Sequence, residues 1–554
     1  MPDVFARVRQ AASQVTDAFR SVQVLREAGL ARFTRPDEML RSVLAVRQLG
    51  PFAGAVKVAA RRDPDAIGLV DELGELSFSQ LDRRSNALAR AWRSTALKPG
   101  DVIGLLCRDH RWFLDSIFAA AKLGARAVLL NTGFAGRQLA DVVAREGIVG
   151  IVYDQEFTPL VDPLPATIRR YLAWVDDPTA VPDRARVPDR NAPELTTLQR
   201  LITETDDTDL PAPSEPGGIV LLTSGTTGIP KGAPRQVRSA LAAAEFLDRV
   251  PYRRNEATLI ASPLFHATGL SQFVMQLALA CITVLARRFD PERVVALIDR
   301  YRCTGLVLVP TMLQRVLDLD EETLARYDTS SLRIVFSAGS ALSPELGNRA
   351  TKAFGEVLYN LYGSTEVAVA TVATPADWRQ APGTVGRSPV GCRVRLYDEN
   401  GNQITGPDRQ GRIFVGSGLT FGGYTGGGTK EEIDGLLDSG DIGHFDATGL
   451  LFIDGRSDDM IVSGGENVYP GEVENILVEH EKISDAAVIG VPDAEFGGRL
   501  KAFVVPQPGT ELTPEEVRGY VKAHLARFKV PRDVAFIDEL PRNSTGKLLR
   551  HKLR

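Results

Sequence analysis

Cysteine is nearly absent: Cys107, Cys281, Cys303 and Cys392 are the four in 554 residues, and they lie at least 22 positions apart. Neither CxxC nor HExxH occurs, so a disulfide framework or a zinc site has no local support. An excess of one charge is missing as well. Lys and Arg number 65 against 70 Asp and Glu, a formal −5, which disfavours a strongly basic nucleic-acid binder. The longest nearly apolar stretch, Phe273 to Ala286, has 14 residues and contains Gln276 and Thr283. That is short of the ~20 needed to cross a bilayer. The opening MPDVFARVRQ lacks the uninterrupted apolar segment of a signal peptide. These absences leave an ordinary soluble composition, 44% hydrophobic and 24% charged, and predict a cytoplasmic protein.

What is present is unevenly spread. The first 62 residues carry 11 basic and 5 acidic side chains, a local +6 on an acidic chain. Val4, Phe5, Val8, Ala11, Ala12, Val15, Ala18, Phe19, Val22 and Leu25 recur at helical spacing and make one apolar stripe. Such a basic amphipathic extension either packs on its own domain or makes peripheral contact with a membrane or partner. From residue 63 to 457 helical stretches alternate with short apolar runs. Ile219–Leu222, Leu306–Val309, Ile334–Phe336 and Val357–Leu361 read as buried strands, so a large layered α/β domain with more than one sheet is expected. Residues 176–217, with seven prolines and many acids, are expected to be surface loop. Gly416 to Gly428 holds seven glycines in 13 residues, poor material for regular helix. Residues 458–554 read as a small α+β unit with helices at Pro470–His480 and Pro514–Arg527.

The sharpest local signal is Thr223-Ser224-Gly225-Thr226-Thr227-Gly228-Ile229-Pro230-Lys231-Gly232, following a predicted strand. Glycines let backbone N–H groups approach phosphate oxygens, hydroxyls donate further bonds, and a lysine adds positive charge. Pro230 precedes Lys231 where a Walker A loop has glycine, so this is a different phosphate loop. Tyr362-Gly363-Ser364-Thr365-Glu366 also follows a strand and offers an aromatic face and a carboxylate able to hold Mg²⁺. Ser439-Gly440-Asp441 precedes Ile453-Asp454-Gly455-Arg456. An aspartate can accept bonds from ribose hydroxyls, and an arginine can steady ribose or phosphate. Pro541-Arg542-Asn543-Ser544-Thr545-Gly546-Lys547 ends the chain on a turn that presents one lysine.

Together these motifs resemble the acyl-adenylate-forming enzymes, which include acyl- and aryl-CoA synthetases, luciferases and peptide-synthetase adenylation domains. The resemblance runs from about residue 60 to the end and includes GRSDDMIVSGGENVYPGEVE between the two domains. It implies two half-reactions. A carboxylate attacks the α-phosphate of Mg-ATP to give acyl-AMP and pyrophosphate, and a thiol, usually of coenzyme A, then displaces AMP.

By the same resemblance, Thr223, Ser224, Gly225, Thr226, Thr227, Gly228 and Lys231 would grip phosphate, and Thr223 and Glu366 would hold Mg²⁺. Gly339, Ser340 and Ala341 would line the adenine and carboxylate. Tyr362 would pack on adenine with Gly363, Ser364 and Thr365 beside it. Asp441, Ile453 and Arg456 would hold the nucleoside. Lys547 would stabilise the charge developing at the α-phosphate. Phe265, His266, Pro310, Thr311, Met312 and Gly339 would form the acyl pocket. The small domain is expected to swing about Asp458, replacing Lys547 with Ser463, Gly464, Gly465 and Glu466 as the wall of a pantetheine tunnel. The acyl segment has His266 where amino-acid-selecting relatives carry an aspartate, which implies an acid without an α-amino group. The resemblance thus implies a fatty acid–CoA ligase using ATP, Mg²⁺ and coenzyme A. A carrier protein as acceptor and a non-catalytic nucleotide-binding scaffold stand as alternatives. No nucleic-acid partner is expected, and homo-oligomerisation stays open.

Overall fold

In the computed structural model two sheets with parallel centres carry the large domain. The first runs, in spatial order, Thr371–Ala373, Leu358–Tyr362, Ile334–Ser337, Gly305–Leu308, Ala257–Ile260, Ile282–Leu285, Ile67–Asp71 and Gly74–Ser77. All neighbours are parallel except the pairs at the two edges. The second runs Thr196–Thr197, Arg169–Leu172, Ile148–Tyr153, Val102–Leu106, Arg126–Leu129, Ile219–Thr223 and Lys231–Pro234, antiparallel only at its last pair. Described residues run from 17 to 553, apart from 31–35, 178–195, 224–230, 235–241, 365–366, 419–429, 457–458, 460, 464–465, 494–496 and 544–545.

The near-continuous apolar strands follow from burial on both faces. Alternate residues of one strand enter different clusters. Val307 and Phe336 join the core between the sheets, whereas Leu306, Leu308 and Val335 pack beneath the opposite face. Helices Pro36–Arg62, Phe78–Ser94, Arg111–Leu123 and Ala267–Ala278 contribute Val56, Trp92, Phe113, Phe118 and Phe273 to the shared core. Local chemistry sets their starts. Ser77 accepts from the Gln80 N–H while the Gln80 side chain accepts from the Ser77 N–H, a capping box for Phe78–Ser94.

An antiparallel sheet follows, built from Arg393–Tyr397, Gln403–Ile404, Gly411–Gly416, Glu432–Ile433, Leu436–Phe445 and Leu451–Arg456. The small domain packs helices Pro470–Val478 and Pro514–His524 on strands Ile483–Asp493, Gly497–Pro506 and Asp533–Phe536. The four buried strands read from the sequence are all present, within a residue at each end.

One expectation needs correction. Residues 176–217 are not loop throughout: Thr196–Thr197 adds a strand and Leu198–Glu204 is a helix. Thr197 caps that helix by accepting from the Arg200 N–H, and Leu198 and Ile202 are buried, which outweighs the flanking prolines. In the N-terminal extension Ala53, Val56 and Ala59 belong to the large core, so this part of it packs on its own domain, one of the two readings open from the sequence. Residues 1–16 of its predicted stripe lie outside the described residues.

Candidate active site

Parallel pairing decides where the site lies. Strands Ala257–Ile260, Gly305–Leu308, Ile334–Ser337 and Leu358–Tyr362 all point the same way, so the segments that follow them leave one edge of the sheet. Those segments are Ser262–Thr268, Val309–Met312, Ala338–Ala341 and Gly363–Ser364. The carboxyl edge of a parallel sheet is where α/β proteins place ligands, because loops and helix N-termini converge there. Phe265, His266, Pro310, Thr311, Gly339, Ser340, Ala341, Tyr362, Gly363 and Ser364 are therefore brought to one edge, although up to about 100 positions separate them.

The antiparallel sheet brings the nucleoside residues to the same place. Asp441 and Arg456 are directly opposite each other on neighbouring strands, and Arg456 Nη1 lies 3.4 Å from Asp441 Oδ1. The Tyr362 hydroxyl donates to Asp441 Oδ2 at 2.7 Å. The Asp441 backbone N–H donates to Ser439 Oγ at 3.1 Å, which fixes the turn. Burial pushes the Asp441 carboxyl up, opposed by the Tyr362 bond and by the charges of Arg456, Lys547 and Lys430. Burial, then the Asp441 charge, pushes the Tyr362 phenol well above its ordinary value. Lys430 escaped the sequence reading. A Cβ on Gly440 would stand 3.4 Å from the Arg456 guanidinium and 3.5 Å from the Lys430 ammonium, so both cations crowd the same turn. Nothing in the sequence around Lys430 marks it, as it follows the glycine-rich stretch without a motif of its own.

Lys547 reaches the site from the small domain. It is exposed and close enough to bear on the charge of Asp441. Its backbone N–H donates to Asn543 Oδ1 at 2.8 Å within the turn that Gly546, at φ 76°, completes. Gly546 packs directly on Thr311, and a Cβ there would overlap the threonine side chain. The Asp441 turn, the start of helix Pro310–Leu317 and the small domain therefore come together here. Ile453 sits on the Asp441 sheet and packs, as Tyr362 does, against the cluster that includes Val367, Ile413 and Leu451.

The acyl end has a different character. His266 is the N-cap residue of Ala267–Ala278, its ring lies 4.3 Å from that of Phe265, and its buried Nε2 has no hydrogen-bond partner. Burial lowers its pKa to about 4, so the ring is neutral at physiological pH. Phe265 is buried in the core between the sheets. Met312, on the first turn of helix Pro310–Leu317, packs with the cluster that includes Leu306, Leu308 and Val335. Asp109 was also missed. Its Oδ1 accepts from the Leu264 N–H at 3.0 Å and so ties the acyl segment to the second sheet. Burial raises the Asp109 carboxyl to about 7, with the Leu264 bond opposing. A lone buried aspartate 155 positions away leaves no pattern in the sequence.

Several expected residues cannot be placed. Ser224, Gly225, Thr226, Thr227, Gly228, Thr365, Glu366, Asp458, Gly464 and Gly465 lie outside the described residues. Thr223 ends strand Ile219–Thr223 and pairs in antiparallel register with Lys231, the first residue of strand Lys231–Pro234. Ser463 and Glu466 face each other across the ribbon Ile461–Ser463/Glu466–Val468.

These features define a class, and comparison with known proteins agrees. The model of the AMP-binding enzyme family matches residues 56–425, and that of the AMP-binding enzyme C-terminal domain matches residues 472–547. The chain belongs to the AMP-binding enzyme family. Among its relatives is the fatty acid–[acyl-carrier-protein] ligase ScoC of Streptomyces coeruleorubidus, 30% identical over 92% of this chain and 96% of that protein. The feruloyl-CoA synthase of an Amycolatopsis species is 32% identical over 89% and 96%. The o-succinylbenzoate CoA synthetase of Bacillus subtilis, solved with its acyl-adenylate intermediate, superposes with a TM-score of 0.76 at 25% identity. That match covers 90% of this chain and 97% of the other.

Proposed function

We propose that this protein is an AMP-forming acid–CoA ligase. It would activate a carboxylic acid with ATP as acyl-AMP and transfer the acyl group to coenzyme A. One observation carries the reading: Tyr362, Arg456, Lys430 and Lys547 converge on Asp441 at the carboxyl edge of the sheet, beside the uncharged His266 segment. In the first step a carboxylate oxygen bonds to the α-phosphorus and the bond to pyrophosphate breaks. Lys547 offsets the negative charge that builds there. In the second step a thiolate displaces AMP from the acyl carbon. The small domain would turn about Asp458 between the steps, withdrawing Lys547 and presenting Gly464 and Gly465 to the pantetheine arm. Thr223 and Glu366 are the proposed holders of the Mg²⁺ that accompanies ATP.

For the acid we propose a fatty acid. Support comes from the neutral His266 ring and the buried Phe265 beside it, and from a relative named for fatty acids. Each buried methylene of the chain would favour binding by about 0.8 kcal/mol until the pocket ends. An aromatic acid is the second reading, favoured by the feruloyl- and indoleacetate-ligase relatives. Pyrophosphate release across alkanoic acids, benzoate, cinnamates and amino acids tests both. Faster turnover of free amino acids than of any acid without an α-amino group would overturn them. Coenzyme A against a phosphopantetheinylated carrier protein, the acceptor in the name of ScoC, decides the second substrate.

A further inference from the structure

One face of helix Ala267–Ala278 carries polar side chains into the core of the large domain. Thr268, Gln272 and Gln276 recur every four residues and so share a side of the helix. Gln272 and Gln276 are fully buried. Neither the oxygen nor the nitrogen of the Gln272 amide has a hydrogen-bond partner, and Gln276 Nε2 has none either. Gln276 Oε1 accepts from the Thr258 hydroxyl at 3.0 Å, which sets this end of the helix over strand Ala257–Ile260. Thr283, opposite Thr258 on the next strand, is buried with its hydroxyl unpaired. The surroundings are apolar, since Ile260 and Phe273 both belong to the core between the sheets. Native interiors pair nearly all such groups, because a buried amide without a partner keeps its desolvation penalty. The stripe begins at the candidate site. A Cβ on Gly339 would stand 3.6 Å from the Thr268 hydroxyl, so the first turn of the helix borders the segment Ala338–Ala341. A helix rises about 1.5 Å per residue, which puts Gln272 about 6 Å and Gln276 about 12 Å beyond Thr268 along its axis.

We propose that Gln272 and Gln276 select the acid by receiving a hydroxyl carried on its chain or ring, about 6–12 Å from the carboxyl group. The inference rests on the ligase reading and narrows it, from an acid with an apolar body to one that bears a hydroxyl toward its far end. The unpaired atoms are of both kinds, an acceptor on Gln272 and donors on Gln272 and Gln276. A hydroxyl answers both, donating to Gln272 Oε1 while accepting from Gln276 Nε2. A carbonyl accepts only and leaves Oε1 without a donor, and an unsubstituted alkyl chain leaves all of these atoms unpaired. A second carboxylate on the acid would find no cation in the stripe, because Thr258, Gln272, Gln276 and Thr283 are all uncharged. A site built to bond a substrate hydroxyl rejects the analogue that lacks it, which makes the two amides a specificity device at the acyl end. Local rules of packing are broken most often where a ligand restores them, and these orphaned atoms lie on the one helix that starts at His266.

The test is pyrophosphate release by the full-length protein with matched acids that differ only in the hydroxyl. Straight-chain acids of roughly 6 to 12 carbons are set against their terminally hydroxylated counterparts, and cinnamate against p-coumarate. In at least one pair the hydroxylated acid is expected to have a kcat/KM at least about tenfold higher. Gln272→Met, close in size and apolar, should erase that preference by raising KM for the hydroxylated acid about tenfold, with KM for ATP unmoved. Its Tm should hold or rise, since the side chain lost had no partner in the fold. The comparison of acids on the unaltered protein stands by itself should the methionine disturb the packing. Equal or better turnover of the unsubstituted acid in every pair overturns the proposal. So does a Gln272→Met protein that melts lower and keeps the original preference, which would make the amide a structural group. Pyrophosphate release with no acid of either kind would remove the ligase reading itself, and this inference with it.

Discussion

The two ends of the site are built on opposite principles. Around Asp441 the polar groups are engaged with one another: the Tyr362 hydroxyl, the Arg456 guanidinium and the Ser439 hydroxyl all have partners, and Lys430 and Lys547 stand close by. Around His266 the ring nitrogen Nε2 has no partner and burial keeps the ring neutral. The first arrangement suits a ligand whose charges never vary, because a preorganised set of cations and acceptors need not rearrange when phosphate and ribose arrive. The second suits an apolar body whose shape differs between substrates, since packing tolerates variation that hydrogen bonds do not. One family can therefore keep its nucleotide end and change its acid. The family's named relatives, acting on succinylbenzoate, indoleacetate and ferulate, fit that division.

The largest effect should come from the ionic end. Lys547→Ala should slow adenylation by about 10²-fold or more, roughly 3 kcal/mol of transition-state stabilisation. Thioester formation from supplied acyl-AMP should be nearly unchanged. Single-turnover measurement of each step checks this, and equal loss in both steps would argue for a fixed domain arrangement. Next comes a contrast between the ends. Asp441→Ala should raise KM for ATP by about 10- to 100-fold, about 1.4–2.7 kcal/mol, and leave KM for the acid alone. His266→Ala should shift KM for the acid several-fold and spare ATP. If each variant changes both substrates alike, the division of labour fails.

Gly546→Ala probes the point where the ends meet. Its Cβ would overlap Thr311 at a backbone φ of 76°, so closure of the small domain is hindered without loss of any charged group. Adenylation should fall by about tenfold, less than for Lys547→Ala, with the thioester step spared.

The smallest effect is on stability against pH. The Asp109 carboxyl has its pKa raised to about 7 in the folded protein from 3.8. The folded state then binds the extra proton. The stabilisation is present below about 4 and is lost as pH rises through 7. His266 acts in the opposite sense, with about 4 folded against 6.5, so its stabilisation is present above 6.5 and is lost as pH falls through 4. Asp109→Asn should flatten the decline of Tm between about pH 4 and 7, and His266→Gln the decline between about pH 6.5 and 4. Unaltered Tm profiles would remove both groups from the acyl end's response to pH.

The chain's own order of residues was enough for the buried strands, the two helices of the small domain and the family. Each is a local pattern: apolar runs bounded by turn residues, or a hydroxyl- and glycine-rich loop after a strand. Periodicity also revealed the apolar stripe of the extension, as far as Ala18, Phe19, Val22 and Leu25. It could not say whether the stripe would be covered, since coverage depends on elements hundreds of residues away. Tertiary structure decided that Ala53 and Val56 are covered while Leu40 and Val43 are not. It also set Lys430 beside Gly440 and Asp109 against Leu264. A sequence states which side chains can make a contact. Parallel strand pairing and the closure of the small domain decide which of them meet, because those contacts join residues whose separation along the chain carries no period to read.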